Sequence, residues 1–164
     1  MNIINNLLKE MITYFKDDPK RIHHFIKVHS FSKLIGELEN LDVDTQFTLE
    51  VAAILHDIGI KISEEKYGKC NGKLQEIEGP AIAEPILVSL NIDPRIISRV
   101  LYLIAHHHTY TSVDGMDYQI LIEADFLVNL YEDNTSSKSI SAAYNKIFKT
   151  SAGKEICKSM FLFD

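Results

Sequence analysis

Apolar residues recur at three- and four-residue spacings along almost the whole chain, and two-residue alternation is scarce. The pattern predicts a first helix over Ile3 to Phe15, stopped by Asp17-Asp18-Pro19. A second runs from Pro19 or Lys20 to Asn40, with proline in its first turn. Asp44 or Thr45 is placed to cap a third helix. That helix carries Leu49, Val51, Ala52, Ala53, Ile54 and Leu55 up to a His56-Asp57 pair, and Gly59 marks its end. The charged stretch from Ser63 to Gly72 reads as a surface loop, with Gly68, Asn71 and Gly72 as turn residues. Helices follow over Ile77 to Leu90, from Asp93-Pro94 to the triple histidine His106 to His108, and over Met116 to Tyr131. Thr109 to Gly115 is turn-rich, and Ser136-Ser137 precedes a last helical region holding Ala142, Ala143, Ile147 and Phe148. No repeat and no linker divides the chain, so the expected fold is an all-α single domain over residues 1–164.

Composition narrows the partners more than the fold. A net charge of −6 argues against a general binder of nucleic-acid polymers or anionic membranes. It leaves room for a small phosphorylated ligand, which needs only a local basic site. Cys70 and Cys157 have no CxxC spacing and read as free thiols of a reducing cytoplasm, not as metal ligands. The opening MNIINNLLKEMITYFKDD mixes apolar and charged residues, which reads as a folded helix and not a signal peptide. No apolar run approaches the roughly 18–20 residues of a membrane span. The expected setting is the cytoplasm.

The stretch AILHDIGIK, residues 53–61, sets two ionisable groups where the third helix enters the core. Buried His and Asp are costly unless something pairs with them. Positions three, four and seven apart share a helix face, which sorts the other candidates. On the second helix, Val28, Phe31, Ile35 and Leu38 form an apolar stripe whose backward extension lands on His24. His23 falls off that stripe, and His29 has apolar neighbours on one side and polar ones on the other. In RVLYLIAHHH, His107 continues the face of Val100 and Ile104, with His106 and His108 flanking it. In ILIEADFLVNL, Asp125 shares a face with Leu121 and Val128. Glu123 does not share it, and reads as a cap, an ion-pair partner or a solvent-facing acid. His24, His56, Asp57 and Asp125 can therefore point to one interior site from three helices, with His107 as a fifth group. Singly, each is a satisfied core residue more readily than a ligand. Together and unpaired they would be several costly burials in one small domain. Two imidazoles and two carboxylates suit a divalent Fe, Mn, Zn, Ni or Co ion.

The order of an early His, a central His-Asp pair and a late Asp resembles the HD-domain superfamily of metal-dependent phosphohydrolases. RIHHFIKV resembles its first segment, with Arg21, His24 and Val28 in the family spacing. AAILHDIG resembles the defining segment, and EADFLVN the late acidic one. The resemblance spans about residues 20–132 and leaves 133–164 as a C-terminal helical extension. It implies an HD-type helical bundle, with a divalent transition metal held by His24, His56, Asp57 and Asp125. Some branches hold a second ion with two further histidines. The later of these matches His107, with His108 beside it. The earlier position holds Gln75 in QEIEGPA, a weak neutral ligand, so the expected count is one or two ions. Glu76 or Glu78 is a possible substitute there. TSVDGMDYQ lacks the Gly-Tyr-Pro of cyclic-dinucleotide phosphodiesterases. IGIK lacks the acidic residues that follow His-Asp in guanosine tetraphosphate hydrolases. The chain is most similar in length and layout to small stand-alone HD hydrolases.

A divalent ion brings the pKa of its water toward neutrality and polarises a phosphoryl oxygen. The expected activity is therefore hydrolysis of a small phosphoester, a nucleotide among the candidates. Asp57 is the candidate to handle a proton as well as bind metal. Lys61, four residues after Asp57, is the first candidate to stabilise phosphoryl charge. Arg21 and Lys27, on the helix of His24, are further substrate-binding candidates. Two other functions stay open: a non-catalytic metal- or nucleotide-binding signalling module, and a di-iron oxygenase, against which Gln75 counts. A homodimer is an open possibility for its assembly.

Overall fold

The run VAAIL that leads to His56 is buried on every side: Val51, Ala52, Ala53, Ile54 and Leu55 are all sealed from solvent. A helix that is apolar all round belongs at the centre of a bundle. This one, α3 (Val43–Leu55), has α1 (Ile3–Tyr14), α2 (Pro19–Leu38), α6 (Pro94–Ile104) and α7 (Met116–Glu132) packed around it. Beyond this ring, α4 (Gly59–Tyr67) packs on α5 (Gly72–Ser89), which packs in turn on α6. The C-terminal pair α8 (Ser137–Ile147) and α9 (Ser151–Phe161) closes over α7. The computed structural model describes residues 3–161, and among them lie nine helices and no strand. The outermost parts of the expected N-terminal segment and C-terminal extension, residues 1–2 and 162–164, lie outside the described residues.

Several boundaries differ from the sequence expectation, each for a physical reason. Gly59 does not close α3. That helix ends at Leu55, and Gly59 opens α4 after a turn made by His56, Asp57 and Ile58. A Cβ at Gly59 would stand 2.7 Å from the Gln75 carbonyl oxygen and 2.9 Å from the Gly79 nitrogen. The glycine is there to let α4 and α5 touch, a contact across distant sequence. The expected loop from Ser63 is helical through Tyr67, and its charges lie on the solvent face. Gly68, at φ 66°, ends the helix in the left-handed conformation that glycine adopts without strain. Asn71 then caps α5 earlier than the expected Ile77, its side chain accepting from the Leu74 N–H at 3.0 Å.

Asp42, not Asp44 or Thr45, caps α3, with one carboxylate oxygen accepting from both Asp44 and Thr45 N–H groups. On α2 the stripe is shorter than expected. Val28 and Ile35 are buried, Phe31 is partly covered and Leu38 is exposed. α6 stops at Ile104, so His106 to His108 lie in the following turn. The last helical region is two helices, with Phe148 buried between them.

Candidate metal centre

The first turns of α2 bring in His24, the turn after α3 supplies His56 and Asp57, and the middle of α7 supplies Asp125. Their polar atoms converge. His24 Nε2 is 3.1 Å from Asp125 Oδ1, 3.3 Å from His56 Nε2 and 3.4 Å from Asp57 Oδ2. His56 Nε2 is 3.5 Å from Asp57 Oδ2 and 3.6 Å from Asp125 Oδ1. His24, His56 and Asp125 are buried, and Asp57 is partly open.

The far side of each imidazole is fixed. His24 Nδ1 lies 2.9 Å from Glu132 Oε2, and His56 Nδ1 lies 2.8 Å from the Ala53 carbonyl oxygen. These oxygens can only accept, so Nδ1 carries the proton and Nε2 faces the carboxylates. Burial opposes charge on His24, yet Asp125 and Asp57 outweigh it and push its pKa up to about 9. His56 is raised by the same two carboxylates against the cost of burial. Burial would raise Asp57, but His56, His107 and His24 hold its carboxyl well below the usual range. His24 and His56 do the same for Asp125. The cluster therefore calls for positive charge at its centre. A divalent cation would supply it by taking the Nε2 lone pairs and the carboxylate oxygens, so the donor set fits such an ion.

A second compartment shares Asp57. Its other oxygen, Oδ1, is 3.6 Å from His107 Nε2, and His107 is anchored by Nδ1–H to the Ile104 carbonyl at 2.8 Å. Gln75 Oε1 lies 3.3 Å from His107 Nε2 and 2.5 Å from His108 Nε2. Burial and the neighbouring His107 bring the His108 pKa down to about 4, so this ring is neutral. His24, His56 and Asp57 form one convergent set, and Asp57, His107 and His108 form another. Gln75 thus takes the place the resemblance gives to a histidine, with its carbonyl oxygen toward both rings.

Local contacts hold the histidine turn in place. Glu76 Oε1 accepts from the His108 N–H at 3.1 Å and the Thr109 hydroxyl at 2.8 Å. The Tyr118 hydroxyl lies 2.7 Å from the His106 carbonyl oxygen and also against that of Thr109. A Cβ at Gly72 would sit 2.6 Å from the His108 ring, so glycine makes room for it. Neither suggested substitute ligand is free for metal: Glu76 is taken up here, and Glu78 is held by Lys66 and Tyr67 at 2.6 and 2.7 Å.

A profile of the HD domain family matches residues 21–142. The chain belongs to the HD domain family. Among solved structures, it is similar to a predicted HD superfamily hydrolase from an uncultured Thermotogales bacterium. The TM-score is 0.67 at 24% identity, over 94% of this chain and 83% of the other. That likeness concerns the fold. No curated protein matches. The family match takes in every residue of both compartments of this HD domain.

A hollow of about 320 Å³ opens the cluster to solvent, reaching His24, Asp57, Gln75 and Asn129. The cationic candidates fare differently around it. Arg21 lines the hollow, but its guanidinium is tied to Asp18 and Glu64. Lys27 turns to Glu132 Oε1 at 2.5 Å and so reaches the cluster only through that carboxylate. Lys61 is not brought to the cluster. Its Nζ lies 5.4 Å from the centre of the Tyr14 ring, in a neighbouring hollow, because α4 restarts at Gly59 and turns this side chain away from Asp57. Glu123 is buried and caps α9: Oε1 accepts from the Lys149 and Thr150 N–H groups at 2.6 and 2.9 Å. Sequence reasoning passed over Asn129, which donates to Asp125 Oδ1 at 2.9 Å, and Glu132, which orients His24. Their positions, four and seven after Asp125 on one helix face, were the available signal.

Proposed function

We propose that this HD domain is a metal-dependent phosphohydrolase of small phosphoesters, nucleotides among them, using one or two Fe, Mn, Zn, Ni or Co ions. The observation that supports this reading is the sharing of Asp57. One carboxylate oxygen faces His24 and His56, the other faces His107, and the residue borders an open hollow. His24, His56, Asp57 and Asp125 would hold the first ion, and Asp57, His107, His108 and Gln75 a weaker second one. A bound divalent ion supplies a water of lowered pKa and polarises the phosphoryl oxygen.

The chain's own residues do the rest. Glu132 and the Ala53 carbonyl keep both Nε2 atoms aimed inward. Asn129 holds the Asp125 carboxylate by one oxygen. Where one ion is bound, the Asp57 oxygen left toward the hollow would accept a hydrogen bond from the incoming water and orient it. Arg21, at the wall of the hollow, would bring positive charge near a phosphate while its guanidinium stays on Asp18 and Glu64. The test is a panel of phosphomonoesters, diesters and nucleotides with metal-loaded protein. Phosphate release is expected on at least one member, with loss in His56→Ala and Asp57→Ala. Inactivity of loaded wild type on the whole panel would overturn the proposal.

A further inference from the structure

Two hollows lie side by side where α2 begins. The first reaches the ligand cluster. The second, about 420 Å³, is walled by Tyr14, Phe15, Lys16 and Lys61. Asp18, Arg21 and Glu64 line both. Arg21 holds this shared wall together, with Nη1 3.0 Å from Asp18 Oδ2 and Nη2 2.6 Å from Glu64 Oε1.

Charge around the two hollows is unevenly committed. Asp18 and Glu64 are taken by Arg21, and Glu132 by Lys27 and His24. Lys16, Lys20 and Lys61 are exposed and make no ion pair among the described residues. Lys20 lines the first hollow, and Lys16 and Lys61 line the second, where Glu65 is the only lining carboxylate outside the Arg21 wall. Lys61 Nζ stands over the Tyr14 ring, and the Tyr14 hydroxyl donates to the Ile58 carbonyl at 3.1 Å. Ile58 directly follows Asp57, so the floor beneath Lys61 is tied to the turn that carries the shared ligand. An ammonium without a carboxylate partner keeps its donors available for phosphate oxygens.

We infer that the second hollow receives a second anionic group of the substrate, which makes the substrate a small bisphosphate. One phosphoester lies at the ligand cluster, and the other phosphate is held by Lys16 and Lys61 beyond the Arg21 wall. This rests on the phosphohydrolase reading. Lys61 then binds the far end of the substrate and takes no part at the phosphoryl group being transferred. Lys20 and Arg21 lie along the path between the two ends.

Calorimetric titration of the Mn²⁺-loaded full chain tests this with alkylphosphonates and α,ω-alkanebisphosphonates of increasing chain length, whose C–P bonds resist hydrolysis. At the spacer length that fits, the wild type is expected to bind the bisphosphonate at least about tenfold more tightly than the monophosphonate, an advantage that shrinks with added salt. In K16M/K61M, with an unchanged melting temperature, the two affinities should converge. Equal affinities at every length, absence of bisphosphonate binding, or a preference that survives the double variant would overturn it. Turnover of p-nitrophenyl phosphate reports on the phosphohydrolase assignment separately, so the two can fail independently.

Discussion

Glu132 stands between His24 and Lys27, with Oε2 2.9 Å from His24 Nδ1 and Oε1 2.5 Å from Lys27 Nζ. One carboxylate thus orients the His24 ring, a proposed metal ligand, while a lysine neutralises and holds that carboxylate. Partners of this kind set ring tautomer and ligand basicity, and losing them typically costs about 10–100-fold in metal affinity. Glu132→Ala should therefore weaken Mn²⁺ binding by that order, and Lys27→Met by less. Competition against a chromophoric chelator measures it, and the melting temperatures of the metal-free variants separate the effect from misfolding. Unchanged affinity in Glu132→Ala would contradict the role.

Gln75 limits the second compartment, since a neutral amide oxygen is a poor substitute for imidazole. Gln75→His should raise metal bound at saturation toward two ions per chain, or tighten the second binding step about tenfold or more. Equilibrium dialysis with Co²⁺ reads both quantities. A second step that is already tight in the wild type and unmoved in the variant would count against the assignment.

His29 provides a pH-dependent stability test away from the cluster. Burial lowers its pKa below the ordinary 6.5, although Glu50, 3.0 Å from its Nε2, opposes the shift. The unfolded chain therefore binds this proton more readily than the folded one. The stability associated with neutral His29 is present above pH 6.5 and is lost as pH falls below that value. Urea unfolding of wild type and His29→Gln at several pH values should show a gap that changes as pH falls from neutrality toward 5. A pH-independent gap would show that His29 does not titrate differently on folding.

Gly59 should tolerate no side chain. A Cβ there meets backbone of α5, which cannot swing aside as a side-chain tip can. Gly59→Ala should cost about 1–3 kcal/mol in chemical denaturation. Because Gln75 lies on the displaced helix, weakened second-step metal binding should accompany that loss. A neutral Gly59→Ala would mean that α4 and α5 have slack between them.

The convergence of these side chains was legible in the sequence because it follows helix periodicity. His24 and Asp125 lie on buried helix faces, extending the Val100–Ile104 face lands on His107 in the turn beyond α6, and a polar residue so placed has to find a partner inside. The all-α class was legible for the same reason. Three things were not. The α4 helix read as a loop because its exposed face carries the charges of SEEK, and the contact that seats it on α5 is a backbone approach at Gly59. The direction of Lys61 depended on where that helix restarts, which spacing from Asp57 alone could not give. Glu132 and Glu76 serve ring nitrogens and a backbone N–H more than 30 residues away in sequence, pairings set by packing and not by local pattern.

The cluster around His56 and Asp57 is proposed as a metal site. Elemental analysis of the full chain purified without added metal addresses it most directly, with Asp57→Ala as the companion sample. At least one divalent transition-metal ion per chain is expected in the wild type, falling to near zero in Asp57→Ala. A wild type free of metal and unable to take it up, or metal content equal in the two proteins, would contradict the account.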